Sequence, residues 1–517
     1  MKILAGLAAV GCLAMQVAVA QQSPSRELAA KVTAAQMQQA SWSDEGILLD
    51  GLAAEWHTTA VGQDFHFIKA AVDRYLAANG GNVNDVAMGQ PVLLVYRVTE
   101  KPQYYKAAQA LHDKLAASKD AAQAAPFLAM YAATFHQPEA FSGIAKALLA
   151  AKTHMQRSAY AAALVDTLAW MPTEQAQRLE LISALKSAVA TAEKDKTATK
   201  APENLMLVYA VAKGVRLGFL PQSYESRAEQ GWDAAQKELV SHDGGKMSLK
   251  SAANDGKTTG AFLLAGSEME QTATQALGQG KTALVDAWFN SQTRKNAAGQ
   301  TELYHYKWTD DTNNGFAFFG RAFQRYGVKL AEEKTAPTAA DLKKAQIYIL
   351  PSPDIPSKNP NPHYMDAKSV NVIADWVKAG GTLLLMENDG PNAEFEHFNK
   401  LSDRFGIHFN QVLINHVIGN DYPAGTVMIP AGTGVFAHPH QAYMKDTCSI
   451  TPSSPAKAVV TKGKDVMIAV AKYGKGTVFA VVDPWLYNEY VDRRNHLPVA
   501  YDNFDAAVDL VGWIVKQ

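Results

Sequence analysis

Glu203–Pro221, ENLMLVYAVAKGVRLGFLP, decides how this chain is read. It contains one apolar helix, a basic Lys-Gly-Val-Arg break and a short apolar turn closed by proline. Its surroundings read the same way. From about Ser41 to Leu277 helix follows helix, rich in Ala, Leu, Gln and Lys, with apolar residues at three- and four-residue spacing. In Asp64–Asn79 the residues Phe67, Ile68, Ala71, Val72, Tyr75 and Leu76 share one face, and Gly80-Gly81-Asn82 stops the helix. Tyr104–Leu115, Ala159–Trp170, Ala176–Ala192 and Thr259–Thr272 repeat the pattern. No useful length of this half alternates with period two, so it reads as all-α.

The pattern changes after Asn290. Gln300–Trp308, QTELYHYKW, alternates and is expected as an edge strand. Strands are expected at Ala345–Leu350, Thr382–Met386, Val466–Val470 and Thr477–Val482. Helices are expected at Asp366–Ala379, Glu394–Phe405 and Phe504–Val515. Such alternation predicts a parallel sheet wrapped by helices. The expected division is therefore 1–20, 21–290 and 291–517, with the boundary between the last two near 290–320.

Residues 1–20 read as a signal peptide: Lys2, an apolar run Ile3–Val19, and Ala18-Val19-Ala20 as the cleavage site. The expected location is periplasmic or secreted. After cleavage only Cys448 remains, so no intramolecular disulfide is expected. The 517 residues, 48% hydrophobic, are enough for two or three domains with real cores. A net charge of −1 without a basic stripe argues against nucleic acid as a partner. No later stretch is long and apolar enough to span a membrane.

Several stretches, in order, resemble the unsaturated rhamnogalacturonyl hydrolases, glycoside hydrolase family 105, close to family 88. They are Ser43–Leu52 (SDEGILLDGL), Asn84–Thr99 (NDVAMGQPVLLVYRVT), Ala125–Tyr131 (APFLAMY), Ala161–Pro172 (AAALVDTLAWMP), Glu203–Pro221 and Gly260–Met269 (GAFLLAGSEM). In the second half, Lys343–Pro353, Asp375–Asp389 and Tyr473–Tyr490 resemble a flavodoxin-like module related in fold to class I amidotransferases. The resemblance implies an (α/α)6 barrel followed by a flavodoxin-like α/β domain. It implies removal of a 4,5-unsaturated uronic acid from oligosaccharides by vinyl-ether hydration, which needs one positioned acid/base carboxyl.

Carried over by position, Asp85 matches the family's first aspartate and is the expected general acid/base, with Asp120 as its partner. Read without the resemblance, Asp85 is a helix-capping acid. The chain also departs from the pattern. Leu115–Asp120, LAASKD, has no room for the family's "GGFWH" segment. Ala151–Tyr160, AKTHMQRSAY, replaces its "YHAWD" and "WGRGNGW" segments and leaves only His154 and Arg157 as polar remnants. These changes imply a rebuilt pocket and a substrate other than the usual unsaturated rhamnogalacturonan disaccharide.

Trp42 is a candidate stacking platform, whereas Trp56 sits at core spacing. In the second domain His363, Glu387 and His438 are candidate sugar-binding residues on loops. No cysteine occupies the amidotransferase position, the histidines lack zinc-type spacing, and neither metal nor cofactor is expected. The sequence thus predicts an exported glycoside hydrolase with an oligosaccharide substrate. The alternative is a non-catalytic glycan-binding protein on a decayed hydrolase scaffold.

Overall fold

The computed structural model describes residues 23–34, 40–116, 122–192, 201–244 and 246–517. The expected signal peptide, 1–20, lies outside them.

Twelve helices form the first half of the described residues. They are α1 (Pro24–Val32), α2 (Glu45–Thr59), α3 (Gly62–Ala78), α4 (Gly89–Thr99), α5 (Pro102–Ala116), α6 (Ala125–Thr134), α7 (Ala140–Ala150), α8 (Arg157–Trp170), α9 (Arg178–Ala192), α10 (Glu203–Arg216), α11 (Glu225–Leu239) and α12 (Gly256–Met269). The even-numbered helices pack each on the next, and α12 returns to α2, closing an inner ring of six. The odd-numbered helices pack outside, making an all-α barrel of two concentric rings. Sequence explains the sorting. α6, APFLAMYAAT, is apolar all round and nearly wholly buried, whereas α11, ESRAEQGWDAAQKEL, has one narrow buried face. The ring closes through two glycines: a Cβ on Gly51 would lie 2.6 Å from Gly260 O, and one on Gly260 would lie 2.3 Å from Ile47 O.

The expected Lys-Gly-Val-Arg break does not occur. α10 runs through Arg216 and ends in a Schellman cap, with Phe219 N–H bonded to Gly214 O (2.8 Å), Gly218 N–H to Val215 O (3.0 Å) and Gly218 at φ 73°. The hairpin β1 (Val240–Asp243) and β2 (Lys246–Leu249) precedes α12.

A short α13 (Thr272–Gln275) leads to β3 (Thr282–Asp286), which lies ahead of the expected boundary at 290. TALVD is short and apolar, a pattern shared by buried strands and helix segments, so periodicity could not place it. Of Gln300–Trp308 only β5 (Thr301–Leu303) is a strand, paired with β4 (Thr293–Lys295). His305 and Tyr306 turn at positive φ because His305 N–H reaches the Asp310 carboxylate and the buried Lys307 ammonium is held by Asn290.

The remaining elements are α14 (Ala317–Arg325), β6 (Lys329–Glu333), α15 (Ala339–Leu342), β7 (Ile347–Pro351), α16 (Ala367–Ala379), β8 (Thr382–Met386), α17 (Glu396–Ser402), β9 (Ile407–Ile414), β10 (Thr426–Ile429), β11 (His440–Tyr443), β12 (Thr447–Pro452), β13 (Lys457–Lys462), β14 (Asp465–Tyr473), β15 (Gly476–Val481), α18 (Asn488–Val491) and α19 (Asn503–Ile514). Strands β6-β3-β7-β8-β15 are parallel, in the chain order second-first-third-fourth-fifth. The sheet continues antiparallel through β14, β12 and β9, and β13 pairs with β14. TLLLM and GTVFAV are buried throughout, as strands covered on both faces must be.

The two halves share polar contacts. Arg97 at the end of α4 bonds Asp311 (2.8 Å), and Gln300 donates to Phe135 O (2.7 Å). Among the described residues no helix is long and apolar enough to cross a membrane.

Candidate active site

All six inner helices line one cavity of about 1500 Å³. Helical spacing directs the side chains there: Ile47, Asp50, Ala54 and His57 from α2, Ala159, Ala162, Asp166 and Trp170 from α8, and Met206, Tyr209, Lys213 and Arg216 from α10. These polar groups sit among the buried apolar side chains of their helices, and each needs a partner or a ligand.

Two carboxyls, Asp50 of α2 and Asp166 of α8, line the cavity. Asp166 accepts hydrogen bonds from the Tyr209 hydroxyl (2.6 Å) and the Lys213 ammonium (2.6 Å), and Lys213 also donates to Tyr209 (2.7 Å). Burial, then the negative charges of Asp166 and Glu268, holds the Tyr209 hydroxyl well above its ordinary value, so it remains a donor. Asp50 has a poorer setting, with a hydrogen bond from the Gln90 amide at 3.2 Å. Burial, then the charge of Asp166, raises its carboxyl well above the usual carboxylate range, and Gln90 and Lys213 offset this only in part. The pair is unequal: one carboxylate is fixed by a cation and a phenol, and its neighbour is held toward the protonated form. A carboxyl raised in this way keeps a proton that it can give to a bound molecule.

Residues at the carboxyl-terminal ends of the inner helices line the cavity together with residues of the second domain. Arg216 grips Glu268 with two hydrogen bonds of 2.6 Å. The Arg97 guanidinium lies 4.9 Å over the Trp170 ring while bonded to Asp311. Burial, then Arg321, Arg97 and Lys213, pushes the His57 imidazole well below its ordinary value and keeps it neutral. Its Nε2 is buried without a hydrogen-bond partner.

Of the residues singled out in the sequence, Asp85 lines this cavity. It is exposed at the amino-terminal mouth and caps the 3-10 turn Val86–Met88, accepting from Ala87 N–H at 2.9 Å. Asp120 lies outside the described residues. Trp42 is partly buried against the core, and His154 and Arg157 are exposed. None of these three lines the cavity. Nor do the second-domain candidates. His363 stacks on Trp288 at 3.4 Å, Glu387 is fully buried at the end of β8, and His438 is exposed 3.5 Å from Asp509. Burial holds the Glu387 carboxyl well above its ordinary value. Among the described residues no group of three or more His, Cys, Asp or Glu side chains could hold a metal ion.

Asp50 and Asp166 are not among the residues singled out from the sequence. Both stand inside quoted motifs, GILLDGL and ALVDTL, as the single acid of an apolar run. A lone carboxylate on the inward face of a core helix was the available signal.

The chain is thus an all-α barrel with a polar central cavity, followed by an α/β domain with a mixed sheet, parallel over five strands and antiparallel beyond them. No family model matches it, and no curated protein matches it. Solved structures similar to it include a family 105 glycoside hydrolase from C. acetobutylicum, 20% identical over 48% of this chain and 99% of that one, with a TM-score of 0.43. A family 88 glycosyl hydrolase from Bacteroides vulgatus is 14% identical over 47% of this chain and 97% of that one, with a TM-score of 0.39. The N-terminal domain of mmIFT52 is 16% identical over 46% of this chain and 98% of that one, with a TM-score of 0.34.

Proposed function

We propose that this protein is an exported glycoside hydrolase that removes a 4,5-unsaturated uronic acid from oligosaccharides, with Asp50 as the general acid/base. The supporting observation is the unequal pair Asp50 and Asp166 inside a cavity large enough for a sugar. Protonated Asp50 gives its proton to C4 of the C4=C5 bond, leaving positive charge shared between C5 and the ring oxygen. Water adds at C5 and returns a proton to Asp50, and the resulting hemiketal opens and releases the rest of the oligosaccharide. One water is consumed and Asp50 ends as it began. Asp166, fixed by Lys213 and Tyr209, keeps the Asp50 proton in place by its charge.

The acid is placed at Asp50 rather than Asp85 because Asp85 is exposed and already engaged in capping. We read the second domain as flavodoxin-like from its 2-1-3-4-5 order of parallel strands. The test is turnover of lyase-generated oligosaccharides, followed by loss of the ultraviolet absorbance of the conjugated enol-ether carboxylate. Binding without loss of absorbance would favour a glycan-binding role instead.

A further inference from the structure

We propose that the second domain completes the cavity through Arg321, which binds the anionic group, carboxylate or sulfate, of a sugar held in the barrel. This rests on reading the cavity as a sugar site, and it does not depend on Asp50 chemistry.

Arg321 belongs to α14, outside the barrel, yet it lines the cavity together with Trp308, Asp311 and Ala317 of the same domain. The charges around it do not cancel. The guanidiniums that act on Arg321 are Arg97 and Arg216, and the carboxylates paired with these two are Asp311 and Glu268. Glu268 is spent on Arg216 in a two-point pair. Asp311 is spent first on Arg97, with Nε at 2.8 Å, and reaches Arg321 only at 3.9 Å. The Arg321 Nε is buried with no hydrogen-bond partner. Burial pushes its guanidinium down to about 10, and the nearby Arg97 and Arg216 act in the same direction, so it stays charged at neutral pH without being neutralised.

Neutral His57, with its own unpartnered buried Nε2, also lines the cavity. A charged guanidinium whose side chain is 28% exposed, beside a neutral imidazole in the same cavity wall, favours a singly charged oxyanion. A neutral sugar leaves the surplus positive charge where it is. The planar guanidinium fork suits either a carboxylate or a sulfate ester.

The experiment measures equilibrium binding to the full chain of galacturonate, galactose 6-sulfate and galactose. The wild type is expected to prefer one or both anionic sugars over galactose. Arg321→Gln should bind them at least about tenfold more weakly, the scale of one charge-assisted hydrogen bond, with galactose binding unchanged. Arg321→Lys, which keeps the charge, should retain the preference in part. Removing a surplus cation from among other cations should leave the thermal midpoint unchanged or raised, which checks folding. Preference for galacturonate names the carboxylate and preference for the sulfate ester names the sulfate. Equal binding of all three sugars by the wild type, no binding of any, or wild-type discrimination in Arg321→Gln overturns the assignment. A protein without turnover that discriminates through Arg321 keeps this assignment and loses the proposed reaction. An active protein whose Arg321→Gln variant keeps wild-type KM and discrimination loses this assignment alone.

Discussion

Asp50→Asn is the perturbation that bears most directly on the proposed reaction. Asparagine preserves the shape of the side chain and can still accept the Gln90 hydrogen bond, but it has no proton to give. General acid catalysis contributes about 10²–10⁴-fold, or about 3–5 kcal/mol of the barrier, and kcat should fall by that amount. KM should change little, because the substitution removes an interaction made in the transition state. The fold should not suffer. Burial and the charge of Asp166 already disfavour the Asp50 carboxylate, so the neutral amide is tolerated at least as well above the pH where Asp50 ionises. The pH profile supplies a second reading. The acid works while protonated, so wild-type activity should fall as pH rises through the elevated Asp50 value. Lys213 lowers that value, so Lys213→Met should move the alkaline limb to higher pH. Turnover followed by ultraviolet absorbance, with circular dichroism as the folding control, measures all of this. Retention of more than about a tenth of wild-type kcat in Asp50→Asn would refute the assignment.

Three further expectations concern the frame around the site. Glu268→Ala strands the Arg216 guanidinium and should cost about 3–5 kcal/mol in urea unfolding, whereas Glu268→Leu with Arg216→Met should lose much less; equal losses would contradict the pairing. Gly260→Ala drives a Cβ against Ile47 O and should cost at least about 1–3 kcal/mol, while Gly143→Ala, with nothing within 4 Å on outer helix α7, should be neutral or slightly stabilising. Thermal unfolding of the two variants separates a ring closed by close helix contact from one that merely tolerates glycine. Burial raises the Asp64 carboxyl to about 7, against an ordinary 3.8. Its contribution to stability is therefore fully present below about pH 4 and lost as pH rises through about 7, by about 4 kcal/mol in total. Asp64→Asn should flatten that part of the stability curve, and an unchanged slope would show that Asp64 is not the group responsible.

Local patterns carried much of the fold. α10 is legible because an apolar helix of that length repeats at 3.6 residues, but its end is not. A basic Lys-Gly-Val-Arg run resembles a break, and only the cap at Gly218 shows that Lys213 and Arg216 remain helical and reach the cavity. Strand β8 matched its expected span, Thr382–Met386, because five buried residues bounded by Gly381 and a polar loop leave little choice. The antiparallel strands β9 to β13 went unassigned, since their burial is irregular and their pairing is set by distant partners.

The sequence by itself determined the helical and strand-bearing halves, the buried glycine-bearing helices and the presence of isolated acids within apolar runs. All are consequences of local periodicity, which the chain carries residue by residue. Only the tertiary structure decided which acids meet. Asp50 and Asp166 are 116 positions apart and share a cavity because the ring closes α12 onto α2. Docking of α14 on α2 sets Arg321 near Arg97 and Arg216, while the ring raises one carboxyl and places a cation against its neighbour. A pKa and an unpaired charge belong to the space around a group, and that space is made by segments the local sequence does not contain.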